Sequence, residues 1–338
     1  MDGQQRLTTA VILIKCILDR VKPGGELNFL KKEDLEARYI RRTGGVNQSY
    51  ILGYEKDNPS YEFLKTRIFG GTSLSAQGIE TLYTGNLEAA KAFFERRLES
   101  ASGEQLKNIF AHVTQDLLFN EYEITDDLDV FVAFETMNNR GKPLSKLELL
   151  KNRLIYLSTL VDAPETERTT LRVNVNEAWK TIYEYLGKEK GAPLDDDEFL
   201  RNHWIVYFEY SRDQADQFSH ALLNEVFTAA KATSRQVTAA SIQEYVESIQ
   251  EAVRQWHCLH FPERSLSDEV VLGLDRLRRL GHGAFKPIIL AALMTKASAG
   301  SLRGLLAAAE RFVFVVSRVS KRRADAGDNN FFRQAHQC

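Results

Sequence analysis

From about Pro164 to Ser320, nearly every stretch of this chain repeats apolar residues at intervals of three and four. That spacing lines one face of an α-helix. The segments VNEAWKTIYEYL, DDEFLRNHWIVYFEY, QFSHALLNEVFTAAK, SIQEYVESIQEAVRQWH, DEVVLGLDRLRRL, AFKPIILAALMTKA and LRGLLAAAERFVFVVSRV follow one another with short connections. Short links between one-sided helices leave few ways to cover the apolar faces, and the expected result is an all-helical domain. Breakers are sparse, with 7 prolines and 20 glycines in 338 residues.

The first half reads differently. Leu7, Ala10, Val11, Ile14, Ile17, Leu18 and Val21 predict an amphipathic helix that ends at VKPGG. LEARYIRR, residues 35–42, alternates enough to predict a strand, and LLFNEYEI, residues 117–124, reads as another. Two or three helices are expected between Pro59 and Gln115, the clearest being NLEAAKAFFERRLES. DDLDVFVAFETM reads as a helix and NNRGKPLS as a loop. Ser145 then caps KLELLKNRLIYLSTL, with Glu148 at the capping-box position. The fold class expected is α+β, mostly α. A small sheet domain with inserted helices, 1–163, precedes a helical domain, 164–320. The polar tail, 321–338, is expected to be disordered or to begin a further region.

Composition narrows the function classes. Lys+Arg 44 against Asp+Glu 46 gives a net charge of −2, so no global basic field marks a nucleic-acid binder. Cys16, Cys258 and Cys338 are too few and too scattered for a disulfide framework, which suits a reducing cytoplasm. No signal-peptide pattern and no bilayer-spanning apolar run is visible.

Two stretches carry chemistry. The first, Asp2-Gly3-Gln4-Gln5-Arg6, stands at a helix entrance. Free backbone N–H groups and the positive end of the helix dipole suit a phosphate there. Gly3 permits close backbone approach, and Arg6 adds a permanently charged fork for phosphate oxygens. Gln4 and Gln5 can orient a water or a sugar hydroxyl, and Asp2 can hold Mg²⁺ or a proton. An aspartate N-cap beside a surface arginine is the commoner reading of the same letters, since short Gly/polar/Arg strings are frequent. The second stretch, FETMNNRGKPLSKLELLKN, sets Asn138, Asn139, Arg140, Gly141 and Lys142 before the capped helix at Ser145. It is a second anion-friendly entrance, or a well-built turn with solvated basic residues.

Taken together, in this order and spacing, DGQQRLTTA and FETMNNRGKPLSKLELLKN resemble the GmrS/GmrD type of modification-dependent (type IV) restriction and anti-phage defence proteins. The resemblance implies an N-terminal domain related to the ParB/sulfiredoxin nucleotide-binding fold, hydrolysing ATP or GTP with Mg²⁺ in DNA restriction. It assigns Asp2, Gly3, Gln4, Gln5 and Arg6 to the phosphate side, and Asn138, Arg140 and Gly141 to the second motif. Asn139 and Lys142 are expected to line the nucleotide. In this scheme Arg6 binds phosphate and Arg140 stabilises charge on the transferred phosphoryl group. Gln5 positions water, and Asp2 serves as metal ligand or in proton transfer. Relatives carry a strand before the first motif, so the chain is expected to lack an upstream segment. They often carry a C-terminal HNH nuclease, whose histidine pattern is not found here. A nuclease domain or subunit outside this chain is therefore an expected partner, with DNA, modified DNA included, as target. No membrane partner is expected, and an oligomer is left open.

Arg278 and Arg279, in RLRRLGHGAFK, and Arg322 and Arg323, in SRVSKRR, are the candidate DNA-backbone contacts. HCLH and LDDDEF are weaker metal candidates; His203, Trp204, Trp256 and Cys16 read as core. An alternative reading is a non-catalytic DNA-sensing or partner-binding regulatory module with a vestigial nucleotide site.

Overall fold

Residue contacts divide the chain into two units, one of residues 1–141 with 187–193, the other of 142–186 with 194–338. The computed structural model describes residues 4–44, 47–53, 60–71, 82–119, 145–189, 191–211, 217–281, 283–320 and 328–337. The described fold is α+β and mostly helical, with two separate two-stranded antiparallel ladders.

In the first unit, α1 (Gln4–Arg20) runs from the opening motif into the Pro23-Gly24-Gly25 stop. Gly24 turns the chain at φ +71°, where a side chain is disfavoured. A short hairpin, β1 (Glu26–Leu27) with β2 (Leu30–Lys31), leads into α2 (Lys32–Tyr39). β3 (Arg41–Gly44) and β4 (Asn47–Tyr50) pair from Arg41↔Tyr50 to Gly44↔Asn47. Then come α3 (Tyr61–Phe63) with a π-helical continuation, Leu64–Ile68, α4 (Leu82–Leu98) and α5 (Gly103–Ala111). Ser102 and Gln105 close a full capping box on α5. The core gathers Ile12, Ile17 and Leu18 of α1 against Leu35, Ile40, Phe63, Leu64, Leu98 and Phe110. Each such side chain contributes about 1.5–3 kcal/mol on burial.

Two local expectations are corrected here. Residues 35–39 of the expected strand are the end of α2, and only Arg41 and Arg42 of that stretch are extended. Glu33 and Asp34 occupy the first turn of α2, where acid suits the dipole, and Leu35 is the residue that the helix buries. Of the expected strand 117–124, residues 117–119 carry no strand, and the rest lies outside the described residues.

The second unit is helical: α6 (Lys146–Leu160), α7 (Glu165–Leu186), α8 (Asp196–Tyr207), α9 (Phe218–His220, continued as a π-helical turn), α10 (Ala229–Thr233) and α11 (Ala239–His260). α12 (Asp268–Leu280), α13 (Lys286–Met294), α14 (Ala299–Phe312) and α15 (Asp328–Gln337) complete it. α7 and α11, the two long helices, are pinned by Asn174 to Gln243 at 3.0 Å and Gln250 to Thr181 at 3.0 Å. Trp179, Trp204 and Trp256 are buried between helices. Trp179 donates its indole N–H to the Leu147 carbonyl at 3.2 Å, so the ring is both packed and satisfied.

Composition changes near residues 161–166, whereas packing groups α6 with the helical unit. Leu147, Leu150, Leu154 and Leu157 all belong to its main core. The segment QFSHALLNEVFTAAK is two elements, because Thr228 caps a new helix by accepting from Lys231 N–H. The disorder expected of the tail does not hold for its described part. Residues Asp328–Gln337 form α15, with Phe332 and Ala335 buried and Asn329 accepting from the Tyr210 hydroxyl at 2.9 Å.

Candidate functional site

The described part of α1 opens at Gln4, within the opening motif, and is helical from that residue on. The first backbone N–H groups of a helix have no partner within it. The first turn of α1 holds no carboxylate, so nothing in that turn offsets the positive dipole end. Gln5 and Arg6 are exposed on this turn, while Thr8, one residue pair further on, is buried. Thr9 donates to the Gln5 carbonyl at 2.8 Å, which fixes the turn from behind. The apolar side of the helix, from Ile12 to Leu18, holds it in the core. The result is a helix entrance with an exposed, permanently charged fork beside it, an arrangement suited to an anion.

Asp2, Gly3, Asn138, Asn139, Arg140, Gly141 and Lys142 lie outside the described residues, as does the side chain of Gln4. The approach of the second motif to the first is therefore not part of the described geometry.

The exit of the second motif is described in detail. Ser145 accepts from Glu148 N–H, and Glu148 accepts from Ser145 N–H. Lys146 donates its backbone N–H to Asp197 at 3.0 Å, and its ammonium lies 3.7 Å from the same carboxylate. Each acid of LDDDEF thus has a partner or a task. Asp195 caps α8 by accepting from Glu198 N–H at 2.7 Å, and Glu198 takes the Lys286 ammonium. Lys286 in turn lies over the Trp256 ring at 5.3 Å. Among the described residues no group of His, Cys, Asp and Glu is arranged to hold a metal ion, HCLH and LDDDEF included.

Asp196 is the most perturbed acid of this turn. Burial pushes its carboxyl up to about 6; Glu148, Asp195 and Asp197 add to the rise, and a hydrogen bond with Ser145 opposes it. The folded chain holds this proton more tightly than the unfolded one. That contribution to stability is complete below about pH 4 and is lost as pH rises through about 6. Asp196→Asn keeps an acceptor for Ser145 without the charge. It is expected to stabilise the chain by about 1–2 kcal/mol at pH 7, with no gain below about pH 4. Urea unfolding of both proteins at the two pH values measures this.

The basic candidates of the helical unit are engaged internally. Arg278 donates to the Leu259 carbonyl at 3.2 Å and the His260 carbonyl at 2.9 Å, closing the end of α11. Arg279 pairs with Asp275 at 2.6 Å, one helical turn back. Arg322 and Arg323 lie outside the described residues. His203, expected as core, is fully buried, with Nε2 3.0 Å from the Ser248 hydroxyl. Burial drives its pKa down to about 3, so it packs as a neutral ring. Cys16 is buried as well, and burial first, then Glu95 and Asp19, push its thiol up to about 11, which leaves it unreactive. The sequence reading gave Asp196 no individual role; its signal was three consecutive aspartates at one helix entrance, a density that a cap alone does not need.

Among the described residues no helix is long and apolar enough to cross a membrane. No curated protein and no solved structure matches this chain. Residues 1–155 match the family model described as "GmrSD restriction endonuclease, N-terminal domain", a match that starts at the opening motif and runs past the second.

Proposed function

We propose that this chain is the nucleoside-triphosphate-binding and hydrolysing component of a DNA-targeting restriction and anti-phage defence protein, its first domain being of the ParB/sulfiredoxin-like type. The observation that carries the reading is the family match over residues 1–155, together with the exposed Gln5 and Arg6 on the first described turn of α1, inside the motif itself. In this reading the free N–H groups at the head of α1 hold the terminal phosphates, with the exposed Arg6 guanidinium on their oxygens. Gln5, on the same turn, orients the attacking water. Phosphoryl transfer asks little covalent chemistry of a protein; placement and charge do most of the work.

The anion end of the site fits the residues described: a helix entrance without acid in its first turn, and an arginine with no ion pair among the described residues. Mg²⁺, when bound with ATP or GTP, would neutralise charge between the phosphates. Asp2 is the residue proposed to hold it. Arg140 is proposed to meet the charge that develops on the transferred group, with Asn138, Asn139, Gly141 and Lys142 shaping the pocket around it. DNA cleavage is assigned to a nuclease domain or subunit outside this chain.

The test is steady-state phosphate release from ATP and from GTP, with Mg²⁺, by the unaltered chain and by Arg140→Ala. An arginine that meets transition-state charge contributes about 10³-fold or more to turnover. A loss of that order is expected. Turnover unchanged by the substitution contradicts the role of Arg140.

A further inference from the structure

The β1–β2 hairpin turns through two residues, Asn28 at φ +49° and Phe29 at φ +65°. A two-residue turn with both central φ values positive is the type that asparagine followed by glycine serves best. Asn28 fits, and its side-chain amide also donates to the Lys107 carbonyl at 3.4 Å. Phe29 does not fit: an aromatic residue is disfavoured at positive φ. Its ring gains no burial in return, for it is 100% exposed, and Leu30 beside it is 41% exposed. A strained, fully solvated aromatic on the tip of a hairpin packs against no core of the described residues.

The charges around it point to a ligand. The tip from Asn28 to Lys32 contains two lysines and no carboxylate. Lys31 is exposed within it, Lys107, whose carbonyl meets Asn28, is exposed beside it, and Lys22 is exposed at the base of the hairpin, where its carbonyl accepts from Gly25 N–H. None of these three lysines is held in a salt bridge among the described residues. Of the nearby carboxylates, Glu26 lies level with Lys31 across the ladder, Glu33 is taken up by Gly24 N–H at 3.0 Å, and Asp34 and Glu104 stand in the first turns of α2 and α5.

We propose that this hairpin is a DNA-contacting wedge: the Phe29 ring stacks on a nucleobase, and Lys31, Lys22 and Lys107 meet the flanking phosphates. The inference rests on the DNA-targeting reading above and names an element for it. An apolar or aromatic wedge flanked by basic residues is a recurrent way to hold an unstacked or single-stranded base.

The test is fluorescence anisotropy of a labelled duplex, and of one of its single strands, titrated with the full chain at several salt concentrations. Phe29→Gly relieves the backbone strain, so folding is preserved or improved and the melting temperature does not fall. Its DNA affinity is expected to drop about tenfold, the size of one base–aromatic stack. Phe29→Trp is expected to keep the affinity, and the added indole to be quenched when DNA is present. Unchanged affinity in Phe29→Gly, with the unaltered chain binding DNA, overturns the wedge alone and leaves the hairpin to a protein partner. No salt-dependent DNA binding by the unaltered chain overturns the wedge and the DNA-targeting reading together.

Discussion

Replacing Arg6 by alanine is expected to lower nucleoside-triphosphate turnover by about 10²–10³-fold, the loss typical of one preorganised donor to a charged oxygen. The side chain is well placed for a clean result. It is exposed on the first turn of α1, so its removal opens no cavity. It has no ion pair among the described residues, so no described carboxylate is left stranded. Thr9 and the apolar side of α1 hold the turn without it. Stability should therefore stay within about 0.5 kcal/mol, as for most surface changes. Lysine at this position restores charge but not the fork, so Arg6→Lys should recover only part of the rate. Phosphate release with equal melting temperatures for the three proteins measures the effect. Turnover undiminished in Arg6→Ala would remove the phosphate role from the opening motif.

Trp179→Ala should produce the largest change in stability, about 3–5 kcal/mol. The ring is fully buried between α6, α7 and the rest of the helical core. Truncation leaves a cavity and takes the donor from the Leu147 carbonyl at the start of α6. Trp179→Phe fills most of the space but not the hydrogen bond, and it should cost less than half as much as Trp179→Ala. Urea unfolding followed by circular dichroism separates the variants. A loss near 1 kcal/mol in Trp179→Ala would mean that this ring is not central to the helical core.

Much of this architecture was legible in the letters, for physical reasons. The body and stop of α1, the capping box of Ser145 and Glu148, and the helices after residue 164 rest on local rules: spacing of apolar residues, side-chain caps, and a proline–glycine stop. The errors fell where a few residues had to choose between states. LEARYIRR holds both a helix end and a strand start, and Leu35 with Tyr39 satisfies four-residue spacing as well as alternation. The tail looked polar, yet Phe332 and Ala335, three residues apart on one face, suffice to dock α15. The candidate site divides in the same way. The opening motif runs into an apolar three-and-four pattern, and Gln4 to Arg20 are helical. No local rule could reveal that Arg278 closes α11 through contacts with Leu259 and His260, nearly twenty residues away in sequence. The same holds for Asp197, which reaches back across half a hundred residues to Lys146.

The measurement that bears most directly on the account is a calorimetric titration of this chain with ATP and with GTP in the presence of Mg²⁺, run beside Arg6→Ala. The account predicts saturable binding of at least one nucleotide by the unaltered chain and its loss, or a fall of about 10–100-fold in affinity, in the variant. Binding that is equally tight in both proteins, or no binding of either nucleotide by the unaltered chain, would contradict it.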